Sequence, residues 1–487
     1  MKIISKKNIR LEHLLYLYII LCPILDIASF LFRQNYNISY SPATIIRPII
    51  PVVLFTILFF KEKNKKNKII CFGIYAVYSI VHLYLFQLLH NESSYGNYKN
   101  ELQYIINYSF LIINLYLFHQ IGFKKSKLEK AVSISLAIYV FSLFFSIITR
   151  TSSSTYIEGI GFKGYFESGN SLCMVLILEV IILLANINIK KWKQILLIIF
   201  AGLYLVIFSE MRTGLYGFGL TIGMFCLGKF YVGIREKIKL NKKQMVAIAI
   251  GTLIFIFLII IFGSKTLERR KLLKQNEMNN IDIETNTQRY VTGDILEIYK
   301  KIKNGEISDN YMSEAERNAI VKLCEFSEKH KLSNVNLRTQ QLIYNIYLVA
   351  EQKNIFTFLF GNGYKNQTGE LVMEMEIPAL ICNFGLIGFV LYFGPILLIL
   401  INGIRYLIIQ RKVISFDSIM YIFGSLIAVI LSSISGYVYF NFSSMTMAII
   451  LLVLLKVEEK NYNEKNCIWN NKFNNWWSRK SISWYCK

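Results

Sequence analysis

Residues 194–209, QILLIIFAGLYLVIFS, and 245–262, MVAIAIGTLIFIFLIIIF, contain no charged side chain. Each is close to the roughly 20 helical residues that cross the hydrocarbon core of a bilayer. Similar runs recur along all 487 residues, separated by short basic strings. Hydrophobic residues make up 54% of the chain and aromatic ones 15%, with a mean hydropathy of +0.42. A soluble globule of this size could not keep so much apolar surface from water, so lipid is the expected solvent.

Spans are expected near 11–32, 42–60, 69–89, 101–121, 131–149, 169–188, 194–209, 215–233, 245–263, 377–402, 417–435 and 442–456. The N-terminal KIISKKNIR carries four basic residues and no acid, which orients it to the cytoplasm. Alternation then places KEKNKKNK, KKSKLEK, NIKKWK, the stretch from Arg235 to Lys243 and RYLIIQRK inside, and all are basic. Among the connections placed outside, HNESSYGNYKNE has one lysine against two glutamates and GYVYFN has no charge. The N- and C-termini are thus expected in the cytoplasm of a bacterial inner-membrane protein. The first apolar segment, Leu14 to Phe32, lacks a small-residue cleavage site and is expected to stay as a signal anchor.

The net charge of +23 does not point to nucleic acid, because the basic residues lie in loops beside apolar runs and not on one folded face. Five of the eight cysteines fall in spans, Cys467 and Cys486 in the tail, and Cys324 alone in the long polar loop. No CxxC or Cys/His spacing suggests a metal. The five histidines are scattered and read as structural.

Four regions follow: spans one to nine over 1–263, an extracytoplasmic loop domain over 264–376, spans ten to twelve over 377–456, and a cytoplasmic tail over 457–487. The loop domain holds 16 basic and 16 acidic residues. Ser313-Glu314-Ala315-Glu316 predicts a capping box opening a helix to about Lys331, with Ile320, Leu323, Cys324 and Phe326 as its apolar face. Asn336 to Lys353 predicts a second helix, and Gly361-Asn362-Gly363 a break. The two halves show no repeat of span lengths, which speaks against a transporter built from symmetry-related bundles.

Charges at the ends of spans need a reason. Span seven ends in Ser209-Glu210-Met211-Arg212-Thr213-Gly214, where Arg212 is either a snorkelling arginine paired with Glu210 or an anion clamp. Asp26 faces Arg47 as either a structural pair or a substrate contact, and Glu179 lies mid-span without an obvious partner. The loop from Thr151 to Phe166, with Tyr156, Phe162, Tyr165 and Phe166, is suited to stacking on sugars or to an interfacial belt.

Late in the chain come Arg338-Thr339-Gln340-Gln341 on a helix that reaches Tyr344, then Gly361-Asn362-Gly363-Tyr364, then Glu374-Met375-Glu376 leading into Cys382-Asn383-Phe384-Gly385-Leu386-Ile387-Gly388. With SxxRTG upstream, this order resembles the O-antigen ligase and O-antigen polymerase superfamily, in particular the ligase-like proteins of capsule and cell-wall glycan clusters. The resemblance implies an all-α, glycosyltransferase C-like membrane enzyme of about 12 transmembrane helices. It implies inverting, metal-independent transfer from an undecaprenyl-diphosphate-linked oligosaccharide at the outer leaflet, with no cofactor. On that resemblance Arg212 and Arg338, with Glu210, bind the diphosphate, and Glu374 or Glu376 is the base. Ligases of this kind typically carry a histidine at the base position, which this chain lacks.

The expected partners are lipid-linked donor and acceptor glycans and the bilayer, with a chain-length regulator as a further candidate. Repeat-unit polymerase is the favoured activity, a ligase of the same fold the alternative, and a lipid-linked oligosaccharide flippase the rival of another class. After Lys460 the composition loses periodicity and carries four of the five tryptophans. Read one base later, a choice of permissible codons for this tail can encode a peptide similar to the first strand and glycine turn of a two-Rossmann-domain glycosyltransferase. An overlap of reading frames is therefore expected there.

Overall fold

The computed structural model describes residues 9–36, 41–61, 66–89, 98–154, 161–187, 191–235, 291, 294–307, 312–332, 337–364, 371–411, 414–436 and 438–473. Among the described residues, eight helices precede the loop domain: α1 (Ile9–Tyr36), α2 (Pro42–Lys61), α3 (Lys66–Leu89), α4 (Tyr98–Ile121), α5 (Lys125–Ile148), α6 (Gly169–Ala185), α7 (Trp192–Leu203) and α8 (Arg212–Arg235). Four short helices follow: α9 (Asp294–Lys303), α10 (Glu314–Lys329), α11 (Leu337–Glu351) and α12 (Ile355–Phe360). The last described helices are α13 (Glu376–Ile409), α14 (Phe416–Ile434) and α15 (Phe442–Phe473). One two-stranded antiparallel pairing, Ser153–Ser154 with Phe162–Gly164, interrupts the helices between α5 and α6.

This is an all-α polytopic membrane protein. Six described helices are long and apolar enough to cross a bilayer, and α6 and α7 with its extension are shorter apolar ones. Eleven of the twelve expected spans coincide with a helix, and the ninth, 245–263, lies outside the described residues.

Burial shows which helices form the centre. From Ser171 to Ala185 every residue of α6 is buried, and α15 is buried from Ser443 to Leu455. A helix apolar on all sides needs protein all round it, and these two pack against each other and against α14. The outward face of α3, with Ile69, Ile74, Val77 and Ile80, is exposed, as expected where the neighbour is lipid.

The loop domain has its own core of Val291, Ile295, Ile320, Leu323, Cys324, Tyr344 and Leu348. Helix α10 opens with the expected capping box: Ser313 Oγ accepts from Glu316 N–H, and Glu316 Oε2 accepts from Ser313 N–H, each at 3.3 Å. Sequence reading had no signal for α9 or α12. The tail differs as well, because the helical backbone of α15 continues past Lys460 to Phe473. No proline or glycine occurs between Phe442 and Phe473, so nothing in the local chemistry stops the helix there.

Candidate functional site

The SEMRTG stretch is a rigid corner. After α7, the backbone widens to a π-helical turn, Tyr204–Phe208, a form often found at functional sites. Ser209 Oγ closes it by donating to Leu205 O at 2.8 Å and accepting from Met211 N–H at 3.3 Å. Glu210 takes a left-handed φ of 48°. Thr213 Oγ1 then reaches Asn170 Oδ1 on α6 at 3.4 Å. A Cβ on Gly214 would fall 2.8 Å from Ser209 Oγ, so the close approach requires glycine. Ser209, Met211, Thr213 and Gly214 are buried while Arg212 is exposed. The corner thus spends its neighbours on packing and presents one guanidinium.

Arg338 lies in the first turn of α11, and its Nε and Nη2 both meet Glu374 Oε2 at 3.1 Å. Both side chains remain about a third exposed, at 38% and 35%. The same face of α11 grips the strand-like approach to α13. Gln341 Oε1 accepts from Glu374 N–H at 3.2 Å, and Asn345 Nδ2 donates to Leu371 O at 3.3 Å. The spacing 338, 341, 345 is one helical face.

Glu376, expected with Glu374 as a candidate base, is turned elsewhere. It is buried, and its two oxygens accept from Tyr439 N–H at 2.9 Å and Phe440 N–H at 2.7 Å. It serves the turn between α14 and α15. That turn also presses Gly436 against the Glu374 carbonyl.

Two motifs far apart in sequence are bonded to each other. Helix α13 breaks at Gly385, where φ is 68° and ψ −175°, and the carbonyls ahead of the break need donors. Asn362 N–H donates to Cys382 O and Gly363 N–H to Asn383 O, both at 2.9 Å. Tyr78 donates to Phe384 O at 2.6 Å. His82 holds the other side of the turn, with Nδ1 at 2.7 Å from Phe360 O and Nε2 at 2.7 Å from Glu101 Oε1. Glu101 Oε2 accepts from Tyr364 N–H. Burial, with the Glu101 charge adding to it, raises the Tyr364 phenol above its ordinary range. His82 thus bridges the Phe360 carbonyl and Glu101, while the glycine turn bonds the carbonyls of the broken helix.

At the same end of the bundle a cavity of about 300 Å³ opens between α1, α2, α4, α5, α6 and the Phe440–Phe442 turn. Asp26 is its anchor, accepting from Arg47, from Tyr139 at 2.6 Å and from Ser443 at 2.7 Å. Arg33 pairs with Glu167 at its mouth, 3.0 Å away. Gln103 and Asn107 line it from α4. Sequence reading found the Asp26–Arg47 pair and missed the two amides. Their i, i+4 spacing on one face of an apolar span was the available signal. Glu179 has a partner after all, accepting from Ser135 at 2.6 Å in the core, away from this cavity. Of the aromatic loop, Phe166 lines the cavity and Tyr165 bonds Thr151, while Tyr156 lies outside the described residues.

The structure thus joins Arg338 with Glu374, ties Glu376 to the cavity through Phe440, and sets Arg212 on a separate corner held against α6. No cluster of three or more His, Cys, Asp or Glu side chains suited to a metal occurs among the described residues.

A polytopic helical bundle with charged side chains gathered at one end defines the class, an integral membrane protein with a polar site at one surface. The chain belongs to the family of O-antigen ligase like membrane proteins, whose model matches residues 8–460. No curated protein matches it. Membership supports a membrane enzyme of glycosyl transfer acting on lipid-linked glycans.

Proposed function

We propose that the protein polymerises undecaprenyl-diphosphate-linked oligosaccharide repeat units at the outer leaflet of the bacterial inner membrane. The observation that carries this is the Arg338–Glu374 pair, a cation and a carboxylate side by side and still accessible where α13 enters the bundle. In the reaction, an acceptor hydroxyl attacks the anomeric carbon of the donor. The bond from that carbon to the phosphate oxygen breaks, and configuration inverts. Negative charge collects on the departing lipid diphosphate, and the hydroxyl proton goes to a base.

Arg338, with its remaining Nη1 edge, and Arg212, exposed on its corner, are the cations for that diphosphate; a guanidinium fork suits phosphate oxygens. Glu374 is the better base candidate, since the two oxygens of Glu376 are already taken by backbone amides. Glu376 is then a positioning residue that fixes the turn facing Glu374. Glu210 shapes the corner that carries Arg212. No metal is invoked, because the arginines supply the charge the leaving group needs.

Arg212→Ala should abolish long-chain glycan and leave single repeats on the lipid, read on a gel of extracted glycan. Normal chain lengths would reject the assignment. A ligase of the same fold would instead leave long chains on the lipid when deleted, so one deletion strain separates the two. Accumulation of repeat units on the cytoplasmic leaflet would favour a flippase.

A further inference from the structure

We propose that the cavity beneath the Phe440–Phe442 turn is a subsite for a hydroxyl-rich sugar of the acceptor glycan, distinct from the cationic diphosphate site and resting on the glycosyl-transfer reading. Its charges cancel: Arg47 is paired with Asp26 and Arg33 with Glu167. Both arginines of the cavity are met by carboxylates, whereas the proposed diphosphate site adds the exposed Arg212 to the paired Arg338, so the cavity is the poorer place for a diphosphate. What the cavity does hold free are neutral hydrogen-bonding groups. Gln103 and Asn107 line it, and among the described residues neither makes a hydrogen bond. Arg47 Nε–H is buried there without a partner.

Each planar amide offers an acceptor oxygen and two donor hydrogens, a match for adjacent sugar hydroxyls that both donate and accept. A buried donor left unsatisfied needs an explanation, and a ligand hydroxyl accepting from Arg47 Nε supplies one. The volume of about 300 Å³ is at the lower end of small-molecule sites, which run from roughly 300 to 1,000 Å³. One ring of its wall, Phe440, belongs to the residue whose amide holds Glu376, which places the cavity next to the segment carrying the candidate base. The first sugar of the donor must stay with its diphosphate at the arginines. The sugar that arrives without phosphate is the acceptor's non-reducing end.

The full-length protein in nanodiscs would be titrated calorimetrically with two probes: inorganic pyrophosphate, and the free oligosaccharide released by mild acid from the host's own lipid-linked glycan. The variants are the double substitution Gln103→Ala with Asn107→Ala, which removes the amides, and Asn107→Trp, which fills the space. Both should weaken oligosaccharide binding about tenfold or more, the scale of one or two lost hydrogen bonds, while pyrophosphate binds as in the parent and shows that the fold is intact. Parent-strength oligosaccharide binding in both variants would overturn the subsite, as would a parent protein that does not bind the oligosaccharide. Loss of pyrophosphate binding in Asn107→Trp with oligosaccharide binding retained would overturn it too, by making the cavity an anion site. Arg338→Ala should show the opposite pattern, losing pyrophosphate and keeping the oligosaccharide. If instead it binds pyrophosphate normally, the transferase reading fails while the cavity result stands on its own.

Discussion

Single side chains decide what the mouth of this bundle can do. Arg338 engages Glu374 through two nitrogens of its fork, an arrangement a lysine ammonium cannot copy. Arg338→Ala should lower polymer formation by about 100-fold or more, the usual effect of removing one group that stabilises developing charge. Arg338→Lys should recover only part of that loss, as measured by single-turnover transfer in membranes. Full recovery by lysine would reduce the role of Arg338 to that of a point charge. Gly385 is a structural counterpart. Its φ of 68° with ψ near 180° is open to glycine almost alone, and a Cβ there would run into Leu359 and Gly361. Gly385→Ala should cost about 3 kcal/mol from strain and overpacking together, visible as a lower thermal midpoint in detergent. An unchanged midpoint would mean that α13 can heal its break.

At the level of elements, the loop domain coheres because short amphipathic helices pool their apolar faces. Helix α10 contributes Ile320, Leu323 and Cys324 to that pool. Burial pushes the Cys324 thiol up to about 12. A raised thiol pKa leaves the protonated form dominant at every lower pH, so at pH 8 alkylation of folded protein should be slow and should quicken only on opening. The same cysteine reports on the capping box. Ser313→Ala removes an N-cap worth about 1 kcal/mol and should therefore raise the rate of Cys324 alkylation about fivefold, followed by mass spectrometry. If the rate does not change, the box does not limit opening. Legibility differed between elements for the same reason. The Ser313 box and the long apolar runs are local chemistry and were readable. The six-residue helix α12 has no period long enough to read, and it is held by α13 and α3.

For the molecule as a whole, sidedness governs the chemistry, since a lipid-linked donor can be met at only one surface. With the native cysteines replaced, Glu325→Cys on the exposed face of α10 should react with a membrane-impermeant maleimide in intact cells. Lys193→Cys, exposed at the start of α7, should react only after permeabilisation. The reverse pattern would place the loop domain in the cytoplasm and remove the proposed site. The spans, their order and the basic loops were determined by the sequence itself, because apolar length and charge placement act residue by residue on transfer into lipid. It also supplied the list of motif residues. Their partnerships came only from tertiary structure: the glycine turn at 361–363 bonding the broken helix at Cys382 and Asn383, Glu376 serving a turn instead of Glu374, and Gln103 and Asn107 facing one cavity with Asp26 and Arg47. Those contacts join segments tens to hundreds of residues apart, and only close packing of the helices brings them within hydrogen-bonding distance.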